Sequence, residues 1–194
     1  TATYGTGGEI FTGAISFGAG YPTTIGAFQV NYGGGVTDIA ISKLNSDGSS
    51  LLWATYIGGS YSDFPHSMMV NDLNELYVYG STDSYDYPTS LNAFQTANSG
   101  GADIVATHLT QDGSNIIGST YVGGSGEDGS YRKGEIIVDQ IGNAFIASQS
   151  SSSLTSNSPK SEKYTGANPE RFATKDELTP DMLSGKSMDN PKSF

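Results

Sequence analysis

Short apolar runs punctuated by glycine, asparagine and aspartate set the pattern of this chain. In Ile39-Ala40-Ile41 and Ile104-Val105-Ala106 the side chains on both strand faces are apolar or small, where a half-exposed strand would alternate apolar with charged. Runs at 39–44 and 50–57 flank Asn45-Ser46-Asp47-Gly48, and runs at 104–109 and 115–122 flank Thr110-Gln111-Asp112-Gly113. Asp-Gly between such runs predicts an antiparallel hairpin, because glycine adopts positive φ without a steric cost. A further strand is predicted at 9–16, again at 74–81 and again at 142–148. A fourth comes at 66–70 before the turn 71–73, with a counterpart at 134–138 before the turn 139–141.

These elements repeat. Asp38–Asp63 returns as Asp103–Asp128 sixty-five residues on, with Asp-Ile, Asp-Gly-Ser, Thr-Tyr and Gly-Gly-Ser in register. The loop Tyr21–Gln29 returns as Tyr87–Gln95. Its proline breaks the strand ladder, and the following Ala-Phe-Gln is expected to form a helical turn that pushes Phe28 or Phe94 between neighbouring sheets. Units of this length that cannot bury their apolar faces alone stack into arrays. The fold expected is all-β: β-propeller-type four-stranded antiparallel repeats, about two and a half blades, with an irregular C-terminal tail. Repeats fill residues 1–154, with copies near 8–73 and 74–141 and a partial third at 134–150, whose Asp-Gly hairpin never arrives. The tail, 155–194, reads as low-complexity or extended, with possible short helical turns after Asn168 and Thr179. It is expected to gain order only by lying on a surface, its own propeller or a partner.

Composition narrows the function. Charged residues make up 15% of the chain, below the roughly 25% usual for soluble domains. Before residue 155 there are three basic residues against fourteen acids, whereas the tail holds six of each, so the net charge of -11 belongs to the repeats. Such a surface repels phosphate backbones, which argues against nucleic acid and anionic membranes. With no cysteine, neither disulfides nor thiolate metal sites hold the fold. No run approaches the ~20 apolar residues of a membrane helix, and Thr1–Ile10 does not read as a signal peptide.

The motifs Tyr21-Pro22-Thr23-Thr24, Gly26-Ala27-Phe28-Gln29, Thr37-Asp38 with Asp47-Gly48, Thr55-Tyr56-Ile57-Gly58-Gly59-Ser60, and Val138-Asp139 with Gly142-Asn143-Ala144-Phe145 resemble the bacterial SBBP repeat, named for a seven-bladed β-propeller. The resemblance implies a secreted or surface-exposed protein with no catalytic residues to carry over. In this chain Leu73-Asn74 stands where the repeat usually has Gly-Asn, and the repeats are too few to close a ring. Closure is expected from further blades, identical subunits or a partner that adds strands to an exposed edge.

Little points to chemistry. Gly124-Ser125-Gly126-Glu127-Asp128-Gly129 fits a dinucleotide-binding spacing, but no helix follows and two acids sit where a pyrophosphate would lie. That stretch reads first as a turn between blades, and alternatively as a calcium site at Glu127 and Asp128. His66 and His108 occupy different places in the repeat, and His108, aligned with Lys43, is expected to face solvent. No nucleophile elbow or recurrent carboxylate pair supports catalysis. Trp53 becomes Gly118 in the second copy, so core packing is favoured over sugar stacking there. Tyr61, Asp63, Tyr85, Tyr87 and Tyr131 are the candidate ligand or partner contacts. The function expected is a non-enzymatic, extracellular or bacterial cell-surface module for structure or protein interaction, its partner being protein or further blades. The alternative is a glycan-binding lectin whose propeller is completed by oligomerisation.

Overall fold

The computed structural model describes residues 1–129 and 134–152, together with the backbone of 172–173. The described residues form β-strands joined by turns, with no helix. The first sheet comprises β1 (Ala2–Tyr4), β2 (Ile10–Ser16), β3 (Asp38–Leu44) and β4 (Leu51–Ile57) in that order. The second comprises β5 (Asp63–Val70), β6 (Leu76–Thr82), β7 (Asp103–Leu109) and β8 (Ile116–Val122). Within both sheets neighbours run antiparallel. A third, shorter sheet pairs β9 (Gly134–Val138) antiparallel with β10 (Ala144–Ser148), and β11 (Phe172–Ala173) lies parallel to β10. These are propeller-type blades, as the two-faced apolar runs require.

The sheets cut the chain in a different frame from the sequence repeat. The strand beginning at Asp63 opens the second sheet rather than closing the first, and the first sheet's outer strand is β1, a three-residue run that carries no apolar pattern of its own. Each repeat copy therefore contributes to two sheets and ties them together.

Turn chemistry explains the strand ends. Gly48 and Gly113 hold φ of 72° and 67° in the two hairpins, as Asp-Gly predicts. Before β2 and β10 the chain turns through Gly8 (φ 83°) and Gly142 (φ 88°); before β6 the same place is held by Asn74 at φ 65°, the single non-glycine residue with positive φ among the described residues. Asparagine tolerates this left-handed conformation. Asn74 thus takes the glycine's place and Glu75 the asparagine's, which resolves the apparent departure at Leu73-Asn74.

Two apolar layers hold the blades together. Phe11, Ile39, Ile41, Trp53 and Ile57 of the first sheet pack on Leu76, Val78, Val105 and Tyr121 of the second. The second sheet's other face, with Tyr77, Tyr79, Ile104 and Ala106, packs on Ile136, Ala144 and Ile146. The 65–68-residue offsets are visible in the side chains as well. Tyr56 Oη meets the Tyr21 N–H at 2.9 Å, and Tyr121 Oη meets the Tyr87 N–H at 2.9 Å. The expected helical turns at Asn168 and Thr179, and any surface bed for the tail, lie outside the described residues.

Candidate interaction surface

A carboxylate knot closes each blade. Asp63 Oδ2 accepts the Gly59 N–H at 2.8 Å and the Ser84 hydroxyl at 3.1 Å, while Thr82 donates to Oδ1. Asp128 repeats the scheme: its Oδ2 accepts the Gly124 N–H at 2.8 Å and the Ser152 hydroxyl at 2.5 Å. Each knot links the Gly-Gly-Ser turn after one sheet to the strand that opens the next and to the exit of that strand's neighbour. Asp38 and Asp103 lie beside these groups. Asp38 Oδ2 accepts the Gly33 N–H at 2.6 Å and Asp103 Oδ2 accepts the Ser99 N–H at 2.8 Å. Their Oδ1 atoms are buried and meet no donor among the described residues.

Burial shifts these acids. Desolvation raises Asp63 to about 7 against its three donors, and raises Asp103 to about 6. Asp38 is also raised, by burial first. Asp128 is pushed up by burial, but hydrogen bonds from Ser150, Ser152 and Gly124 pull it below the ordinary value.

The shared glycines follow from the knot. A methyl group on Gly58 would lie 2.7 Å from both the Asp38 carboxyl carbon and Asp63 Oδ2, and one on Gly123 would strike the Asp103 carboxylate. Gly58→Ala is therefore expected to destabilise the chain by about 1–3 kcal/mol in urea titration, the usual cost of overpacking. A loss below about 0.5 kcal/mol would show that the carboxylates can step aside.

A second repeated group was missed in the sequence. Lys43, buried beneath the first sheet's surface, sits 3.7 Å from Glu9 and 5.0 Å from the centre of the Phe11 ring. His108 takes its place in the second sheet: it lies 3.0 Å from Glu75 and stacks on Tyr77 with centroids 3.8 Å apart. His108 is 7% exposed, so the expectation of a solvent-facing position is overturned. The ring plane of Tyr77 and the Glu75 carboxylate draw it inward. Burial lowers its pKa despite Glu75. The signal was present: a base sixty-five residues from a base and an acid sixty-six from an acid, on strands covered on both faces.

Of the candidate contact residues, Asp63 is fully buried in its knot and Tyr87 is buried against Thr107 and Tyr121. Tyr61 and Tyr85 face outward and meet edge to face at 6.0 Å. Tyr131 lies outside the described residues. Glu127 lines a surface depression with Gln149, Ser150 and Ser151, and its carboxylate is 3.4 Å from the Ala102 N–H. Among the described residues no three His, Asp or Glu side chains converge in a metal-binding group, and no helix is long and apolar enough to cross a membrane.

The most informative surface appears when the two blade seams are compared. At the first, the Asp112-Gly113 hairpin of the second blade lies over Trp53: the Gln111 carbonyl accepts the indole N–H at 2.9 Å, and the Gly113 carbonyl accepts the Phe28 N–H at 2.8 Å. Phe28 packs into the core beneath. At the second seam Phe94 holds the position of Phe28, but it is 63% exposed and no hairpin covers it among the described residues. The loop aromatic enters the core in the first copy only. Both loops turn without a helix, through the Ala27 N–H to Thr24 and the Ala93 N–H to Ser90.

Residues 52–88 match a family model described as SBBP, beta-propeller repeat. The matched stretch runs from β4 through β5 and β6 to Tyr87-Pro88, so the repeat unit itself crosses the seam between two sheets. No curated protein matches the chain. The β-propeller repeat is an architecture suited to protein interaction.

Proposed function

We propose that this chain is a non-enzymatic structural and protein-interaction module of an extracellular or bacterial-surface assembly, and that it binds by continuing its blade stack. One observation carries the reading. The seat that the Gln111–Gly113 turn fills at Trp53 and Phe28 has a counterpart at Phe94 that no described residue covers. An exposed aromatic on a rigid scaffold is the kind of residue that anchors protein contacts. The surface location is what the SBBP resemblance implies; the match over residues 52–88 supports the propeller repeat.

The test compares the two loop aromatics. A photo-crosslinking amino acid is introduced at position 28 or at position 94 and activated in the native host. Position 94 should yield a discrete adduct with another polypeptide, and position 28 should crosslink only within the chain. Absence of an intermolecular adduct at 94, or equal yield at both positions, overturns the reading.

A further inference from the structure

The seam between the first two sheets gathers a lysine, a glutamate and an asparagine that the second seam does not repeat. Lys43, on β3, and Asn74, in the turn between β5 and β6, are both buried, and Glu9 stands between them. One oxygen of Glu9, Oε1, lies 3.7 Å from Lys43 Nζ and accepts the Asn74 side-chain N–H at 2.8 Å. The far side of the amide is engaged as well, since Asn74 Oδ1 accepts the Thr6 N–H at 3.2 Å. The Phe11 ring centre, 5.0 Å from Nζ, and the Gln111 carbonyl, 3.5 Å from it, enclose the amine. A methyl group on Gly5 would strike the Asn74 amide oxygen, so the chain closes directly over the amide. The turn does not require an asparagine. Gly8 and Gly142 hold the same place in their turns with φ of 83° and 88°, and the N–H groups of Gly8, Asn74 and Gly142 close equivalent turns on Gly5, Asn71 and Asp139. At the second seam the base is His108, its acid is Glu75, and Gly142 supplies no amide. A side chain takes on the positive φ that favours glycine only where a buried amine and a carboxylate meet it.

We infer that Lys43 and Asn74 join in an intramolecular isopeptide bond that locks the first blade to the second, with Glu9 as the proton-transfer group. A backbone hydrogen bond, together with the Asn74 amide and Lys43, holds the Glu9 carboxyl below the ordinary carboxylate range, so the base starts ionised. Glu9 takes a proton from Nζ, and the free amine adds to Asn74 Cγ. The charge that develops on Oδ1 falls on the Thr6 N–H, which already points at it. The Nζ–Cγ bond forms and the Cγ–Nδ2 bond breaks. Over the whole reaction two protons pass from Nζ to Nδ2 by way of Glu9 Oε1, ammonium leaves, and Glu9 ends as it began. Nothing is oxidised or reduced. The two reacting groups are held on one oxygen by the folded seam, which makes the reaction a single-turnover event of the folded chain. It leaves the reading of the chain as a structural and interaction module untouched and adds a covalent tie between its blades.

Intact-mass measurement of the purified chain tests the bond. The wild type should weigh one ammonia less than its sequence, and peptic digestion should release a branched fragment that joins the segments holding Lys43 and Asn74. After denaturation, trypsin should fail to cut beside Lys43. Asn74→Gly keeps the turn, because glycine serves there at Gly8 and Gly142. This variant should return to the full sequence mass and regain the tryptic cut while its circular dichroism stays that of the wild type. Glu9→Gln still accepts the amide N–H but cannot carry the proton, and should slow linkage at least about tenfold. A wild type at full sequence mass, an ammonia loss that persists in Asn74→Gly, or a Glu9→Gln chain that links as fast as the wild type overturns the inference.

Discussion

Replacing Trp53 with alanine should cost about 3–5 kcal/mol in chemical denaturation, the range for deleting a large buried aromatic. Trp53 stands on β4 opposite Lys43 and meets Phe11 edge to face, with ring centroids 6.0 Å apart. Its indole also forms the bed of the second blade's hairpin. The Gly113 backbone lies so close that a side chain there would come within 2.6 Å of the ring. Truncation thus removes packing within the first sheet, opens a void under the turn, and leaves the Gln111 carbonyl without its 2.9 Å donor. Because this is the one tryptophan in the chain, the variant must be followed by circular dichroism; in the wild type its fluorescence reports on the seam directly. The first sheet should also lose cooperativity with the second, giving two transitions where the wild type gives one. A loss below about 1 kcal/mol would mean that the seam is held mainly elsewhere.

Most of the framework could be read from the sequence because it is local. Asp47-Gly48 and Asp112-Gly113 announce their hairpins through a conformation that glycine alone adopts freely, and the two-faced apolar runs announce stacked sheets. Where sheets begin and end could not be read. The strand from Asp63 is equally able to close one sheet or open the next, and only pairing with β6 decides it. The buried charges were misjudged for a related reason. Asp63 lies in a Gly-Ser-rich turn, which reads as surface, and its burial depends on Thr82 and Ser84 returning to it about twenty residues later. His108 reads as exposed until Tyr77 and Glu75, supplied by the neighbouring strand and its preceding turn, are seen to enclose it. Tertiary return of distant donors, rather than propensity, separates these residues from ordinary turn acids.

The same buried acids predict an unusual response to pH: the chain should become more stable as pH falls from about 8 to about 5. Asp63 is fully buried, and the charged group beside it is another acid, Asp38. Lys43, the only lysine or arginine among the described residues, is committed to Glu9. With its pKa near 7 in the folded chain and about 3.9 when unfolded, Asp63 takes up a proton in the native state first. Stability therefore rises on acidification through the interval between those values and levels off on either side of it, with a contribution on the order of 4 kcal/mol from Asp63. Asp103, raised to about 6, adds in the same direction over a narrower interval. The opposing groups act lower. Asp112, held near 2 by Thr110 and Ser114, and Asp128, held down by its serines, lose their stabilising hydrogen bonds only when protonated, so the gain should reverse below about pH 4. Urea midpoints measured from pH 8 to pH 3 should trace a maximum between pH 4 and 5, and Asp63→Asn should flatten the limb above it. A curve that is flat or falls on acidification from pH 8 would show that Asp63 stays ionised in the folded chain and would overturn the prediction.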